Sequence, residues 1–291
     1  MTIPDRVREH CAAVAASGRH VSIDLAASGR IEPGSAPVLD PERHYLEGSR
    51  DDVIAYLLTL DTINFGSGWF PTLRKRAGMS GYYTVASSLA DRFRSQGPWP
   101  AADLRELEAA ELAGVLGQDA GHPLIALFVD ALRSLGSFLG GRTVTEVIEG
   151  VDGSAVRLAA DLASGMPFFD DVGFWKRAQI VPNDLALAGV AEFDDLDELT
   201  IFADNLVPHV LRVDGVLAYD EALAARIDRG ELIPPGSPEE IEIRACAVHA
   251  CAHIASQLGV PERTLDTWLW DRGQEPRYKA RPRHRTRTVF Y

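Results

Sequence analysis

At 291 residues, 46% hydrophobic and 24% charged, the chain has an ordinary globular make-up and is long enough to bury a large core. Its formal net charge of −13 argues against wrapping a nucleic-acid backbone, and its apolar runs are broken by charge too often for a membrane span. Cys11, Cys246 and Cys251 form no disulfide framework and the N-terminus carries no secretory pattern, so a reducing cytoplasm is the expected compartment.

Helical patterns dominate the chain. His20 to Asp24 reads as a short strand, and Gly29 to Pro41 as a turn-rich surface loop. After a helix ending near Asp61, helical periodicity is lost through Tyr83. Ala101 to Leu116 is rich in Ala, Leu and Glu and reads as one helix. Pro123 to Leu139 has helical spacing and stops at Gly140-Gly141, and two shorter helices follow over Thr143–Gly150 and Ser154–Ser164. Gly173 to Trp175 carries a weak strand signal, and Pro182 marks a boundary or disturbance in the helix after it. Ser237, Pro238 and two glutamates open a long helix to Leu258, and another follows Pro261. Thr286 to Tyr291 reads as a last strand. The expectation is a mainly all-α fold in one domain over residues 1–291, two helical lobes around a cleft, with a few short peripheral strands.

Four segments can carry chemistry. Leu199 to Arg212 reads as a helix whose one acid, Asp204, sits among apolar residues, so it must be paired, protonated or facing a cavity. Asp61 to Tyr83 gathers Phe65, Trp69, Phe70, Tyr82 and Tyr83 for stacking, Asn64 for reading a base edge, and Gly66 and Gly68 for close backbone approach. Any single aromatic there equally suits packing onto the core. Lys176 and Arg177 stand at a helix entrance, a phosphate seat or partners for nearby aspartates. Six cations, with His284 among them, crowd the last fifteen residues, forming an anion site or pairing with the chain's own acids. Cys246, His249 and His253 share a helix face, but without a HExxH pattern or a second ligand pair no metal is assigned and core packing is expected.

These segments carry a resemblance. DTINF at Asp61–Phe65, SGYYTVA at Ser80–Ala86, FWKRAQI at Phe174–Ile180, LTIFAD at Leu199–Asp204 and VPHVL at Val207–Leu211 match the queuosine salvage family. EIRAC at Glu242–Cys246, Leu269-Trp270 and HRTRTVFY at His284–Tyr291 continue it in the same order. The resemblance implies an all-α fold akin to that of DNA glycosylases. It also implies hydrolysis of the N-glycosidic bond of queuosine 5'-monophosphate to release queuine, a 7-deazaguanine. The family's catalytic aspartate maps onto Asp204. Asn205 and Leu206 stand where an aromatic and an arginine are common, His209 where a glutamine is common, and Gly66-Ser67-Gly68 interrupts the first aromatic block. Asn205 and His209 are thereby expected at the pocket, and the exact base stays open.

On this reading Asp204 stabilises the sugar cation and takes a proton from water. Asn64 or Asp61 touches the leaving base, Phe65, Trp69 and Tyr82 sandwich it, and Lys176 with His284 or Arg285 holds the 5'-phosphate. No cofactor is called for, and the partner is a small nucleotide; nucleic acid and membrane are not expected. Two alternatives remain: a hydrolase for another modified or purine nucleotide, and a non-catalytic nucleotide or RNA-end binder.

Overall fold

Local capping signals set most helix boundaries in the computed structural model, which describes residues 1–291. Thr2 and Asp5 cap each other's backbone at α1 (Ile3–Ser17), and β1 (Val21–Ile23) follows. Ser49 caps α2 (Arg50–Thr62) and Ser80 caps α3 (Gly81–Gln96). The stretch expected as one helix is two, α4 (Ala101–Glu106) and α5 (Ala109–Leu116). Leu107 breaks it: its extended backbone buries the side chain and frees its carbonyl to accept from Arg133 Nε at 3.0 Å.

α6 (Pro123–Leu139) has the bounds read from the sequence, from a proline in its first turn to Gly140 at φ +60°. α7 (Val144–Glu149), α8 (Ala155–Gly165) and α9 (Lys176–Leu187) come next. α9 runs through Pro182 without ending there. The rest of the chain forms α10 (Val207–Val213), β2 (Leu217–Tyr219), α11 (Glu221–Asp228), α12 (Pro238–Leu258), α13 (Glu262–Arg272) and α14 (Pro276–Lys279).

The protein is thus mainly α. Its one sheet pairs β1 antiparallel with β2, Val21 opposite Tyr219, and β2 had no clear signal in the sequence. Two expected strands are absent. Gly173–Trp175 is a turn in which Trp175 adopts φ +45°, and Thr286–Tyr291 is irregular, bound by side chains and loops instead of a ladder. α1 lies on α12, α4 on α6, and α9 between α8 and α2, around one continuous apolar core. No helix is long and apolar enough to cross a membrane.

The segment around Asp204 departs most from its sequence pattern. Leu199 to Ala203 is extended, Asp204 to Leu206 bend, and helix begins only at Val207, with Pro208 in its first turn. Distant side chains take the backbone groups that a helix would have paired. Thr200 N–H donates to Gln179 Oε1 at 3.0 Å, Phe202 N–H to Asp266 Oδ1 at 2.8 Å, and Ala203 O accepts from Arg244 Nε at 3.0 Å.

Candidate active site

One cavity of about 800 Å³ opens beside this bend. α9 supplies a wall through Lys176, Ile180, Asn183, Asp184 and Leu187, spaced so that one helical face meets the cavity. Asp204, Asn205 and His209 enter from the bend and α10, Asp266 and Trp270 from α13, Tyr82 and Tyr83 from the first turn of α3. Arg283, Arg285 and Tyr291 enter from the C-terminal segment.

The half-buried Asp204 is oriented by its own backbone: Oδ1 accepts from Leu206 N–H at 2.6 Å and Val207 N–H at 3.2 Å. Asp266 stands close by, pushed up to about 7 by burial first and by the Asp204 charge second. Burial lowers the Lys176 ammonium below its ordinary range, and Asp204 is foremost among the acids that counter this. Lys176 lines the cavity, and the Asp204 charge favours its ammonium. Arg177, its neighbour, is turned wholly into the core, donating to the carbonyls of Asp61, Thr62, Phe168 and Val289.

Arg244 holds this arrangement from behind. Its guanidinium meets Asp171 through two hydrogen bonds, 3.1 and 2.5 Å, while Nε grips Ala203 O. It lies over the Phe174 ring at 3.8 Å and the Tyr291 ring at 4.6 Å. Asp171 Oδ2 in turn accepts from Lys176 N–H at 3.4 Å. One buried ion pair therefore joins the start of α9 to the residue before Asp204.

The aromatic wall differs from the one expected. Trp270 meets Tyr82 and Tyr83 edge-on, with ring centroids 5.9 and 5.7 Å apart, and the Tyr82 hydroxyl is 3.0 Å from His44 Nε2. Phe65 lines the cavity while packing against Phe128 and Phe168. Trp69 does not reach the cavity; it is buried beneath the Arg287 guanidinium.

Two further expected contacts lie outside the cavity lining. Asp61 is fully buried behind the wall, its Oδ2 without a partner, and burial and Asp184 raise its carboxyl well above the ordinary range. Asn64 does line the cavity, with Nδ2 3.5 Å from Asp61 Oδ1. His284 lies behind the lining, buried against Tyr291, and burial first, then Arg244 and Arg283, push it down to about 3, which favours the neutral ring. Its carbonyl accepts from Asn205 Nδ2 at 3.3 Å. His209 binds the Tyr278 carbonyl through Nε2 at 2.9 Å.

Cations complete the cavity. Lys75, Lys279, Arg281, Arg283 and Arg285 line it without carboxylate partners, whereas Arg272 and Arg277 are tied to Asp214. Burial lowers Arg283 and Asp204 counters that, while Arg285 Nη2 donates to Gly68 O at 3.1 Å. The glycines of the aromatic loop serve packing: a Cβ on Gly68 would collide with Thr286 O, and one on Gly66 with Leu124. Gly66 N–H also donates to Tyr291 O at 2.9 Å. Away from the cavity, Cys246 is buried against β1, while His249 and His253 are exposed.

The sequence reading missed Asp266, Trp270 and Asp184. Asp266 and Trp270, four residues apart on α13, carried the available signal: an acid and an indole on one helical face beside apolar Leu265 and Leu269.

In a mainly helical protein, a cavity with adjoining carboxyls, an aromatic wall and unpaired cations has the make-up of an enzyme pocket for a small aromatic anion. The chain belongs to the queuosine salvage protein family, whose model matches residues 44–291. A relative from Sphaerobacter thermophilus named queuosine 5'-phosphate N-glycosylase/hydrolase is 36% identical over 279 residues, covering 88% of this chain and 86% of that one. The Bos taurus protein of the same name is 27% identical over 284 residues, 84% and 83% of the two chains. That of Dictyostelium discoideum is 40% identical over 129 residues, 41% and 40% of the chains.

Proposed function

We propose that the protein hydrolyses the N-glycosidic bond of queuosine 5'-monophosphate, releasing queuine. The observation that carries this reading is Asp204, oriented by two backbone N–H groups at a cavity that is also lined by aromatic rings and by arginines and lysines. Breaking a ribosyl C–N bond builds positive charge on the sugar, which a fixed carboxylate stabilises. The same carboxylate accepts a proton from the attacking water. Tyr82, Trp270 and Phe65 are suited to hold the flat base, with Asn64 at its edge and Asn205 and His209 beside the sugar.

Arg283 and Arg285 are the preferred seat for the 5'-phosphate, because they are the half-buried guanidinium groups that reach the cavity without carboxylate partners, whereas Lys75, Lys279 and Arg281 are exposed. Binding energy drawn from that remote group orients C1' over Asp204. The inward turn of these cations favours a small nucleotide over a polymer. The three cysteines, all buried and unpaired, fit a reducing cytoplasm. Gly66 and Gly68 seat the C-terminal segment and Leu124, so that departure from the family pattern lends no weight to a different base.

The test is release of free queuine from queuosine 5'-monophosphate, followed by mass spectrometry, with Asp204→Asn as control. Release by the wild type alone is expected. Equal release by the variant removes Asp204 from the chemistry, and no release by folded wild type overturns the assignment.

A further inference from the structure

We propose that Asp266 is the general acid of this reaction, handing a proton to the departing base while Asp204 serves the sugar and the attacking water. The inference rests on the hydrolase reading above. α13 sets Asp266 one turn from Trp270, so carboxyl and indole share the cavity face. Asp266 Oδ1 accepts from Phe202 N–H at 2.8 Å, which ties its carboxyl to the backbone two residues before Asp204. Its Oδ2 has no protein partner and is not closed off, leaving it free for a ligand in the cavity.

Glycoside hydrolysis commonly divides its work between two carboxyls whose surroundings hold one charged and one protonated. Here burial, Asp204 and Asp184 favour the neutral Asp266, while the Phe202 N–H and Lys176 oppose them; Cys251 is the other titratable neighbour. The balance lies at about 7, so near neutral pH a proton is available. The leaving base makes that proton valuable. A 7-deazaguanine has carbon at position 7 and cannot be activated there, which leaves ring nitrogen N3 as the acceptor.

The C1'–N9 bond breaks and its electron pair goes to the base, as the Asp266 proton passes to N3. Water oxygen bonds to C1' and gives its proton to Asp204. The products are ribose 5-phosphate and the free base, whose N3 proton relocates to N9 in water. Solvent in the cavity then returns the Asp204 proton to Asp266.

Two substrates separate general-acid catalysis from mere support: queuosine 5'-monophosphate, and 4-nitrophenyl β-ribofuranoside 5-phosphate, whose leaving group needs no proton. In Asp266→Asn, kcat/KM should fall about 100-fold or more on the first and less than about 10-fold on the second. Asparagine keeps an acceptor for Phe202 N–H. The wild-type pH profile is an independent check that needs no variant. On queuosine 5'-monophosphate kcat/KM should decline above about pH 7, and on the nitrophenyl substrate it should not. Equal losses on both substrates, or matching pH profiles, overturn the role of Asp266. Wild type that cleaves the nitrophenyl ribofuranoside but frees no queuine overturns the reading as a queuosine 5'-monophosphate hydrolase, and the inference with it.

Discussion

Replacing Arg244 by methionine should cost the protein a large part of its stability. The guanidinium is buried and satisfied by Asp171, by Ala203 O and by the faces of Phe174 and Tyr291, with Glu240 at 3.5 Å. Methionine fills similar volume but leaves the Asp171 carboxylate buried without its cation. Breaking a buried pair on one side costs about 3–5 kcal/mol. At about 2–3 °C per kcal/mol for a protein of this size, Tm should fall by roughly 6–15 °C in a calorimetric melt at pH 7. Asp171→Leu added to Arg244→Met removes the orphaned charge and should regain at least half of the loss. Activity should not return in that double variant, because Ala203 O stays unheld and Asp204 is no longer positioned. A single variant that melts within about 2 °C of wild type would falsify the stability reasoning. A double variant with full turnover would refute the positioning role.

Arg283→Ala should lower kcat/KM for the 5'-monophosphate about 10- to 100-fold, the worth of a charge-assisted hydrogen bond, and barely affect the bare nucleoside. Equal losses on the two would take Arg283 out of the phosphate seat. Lys176→Met should instead reduce turnover of both alike, since its ammonium balances Asp204 and Asp266; a selective loss on the phosphorylated substrate would return it to the phosphate. Asp266 binds its proton more tightly in the fold than the ordinary 3.8, up to about 7, so its contribution is full below pH 4 and lost as pH rises through 7. Thermal melts of Asp266→Asn should therefore gain on wild type between pH 5 and pH 8, and a constant difference would contradict the shift. Gly68→Ala should destabilise by about 1–3 kcal/mol by driving a methyl into the Thr286 backbone, and an unchanged urea midpoint would show that the loop yields.

What the sequence revealed follows from where the determining forces act. α6 is bounded by a proline, a glycine and a 3.6-residue rhythm, all local, and its ends are legible for that reason. Asp204 stood out because an acid amid apolar residues needs an explanation wherever the chain goes. Its extended backbone was not legible: Gln179, Asp266 and Arg244, between 21 and 64 residues away, hold the peptide groups there. The same limit applies to the aromatic cluster. Phe65, Phe70 and Tyr82 line the cavity and Trp69 between them does not, while Trp270, far along the chain, is brought against Tyr82 by tertiary packing alone. The cations at the C-terminus showed their number in the sequence, but which of them met a carboxylate depended on Asp214, far upstream.

The segment from Arg283 to Tyr291 is gripped by Gly66 N–H, Arg177 and Asn205 while it lends three side chains to the cavity. The pocket therefore joins early and late stretches of the message. On the ribosome, a nascent chain can form its helices long before those residues emerge, yet it holds no finished pocket. Until then Arg177 lacks one of its carbonyl acceptors and the wall around Gly66 stands open, so the pocket is finished only when residues 283–291 have docked. Nucleotides in the surrounding solution meet a working site only on chains that have been made through this segment.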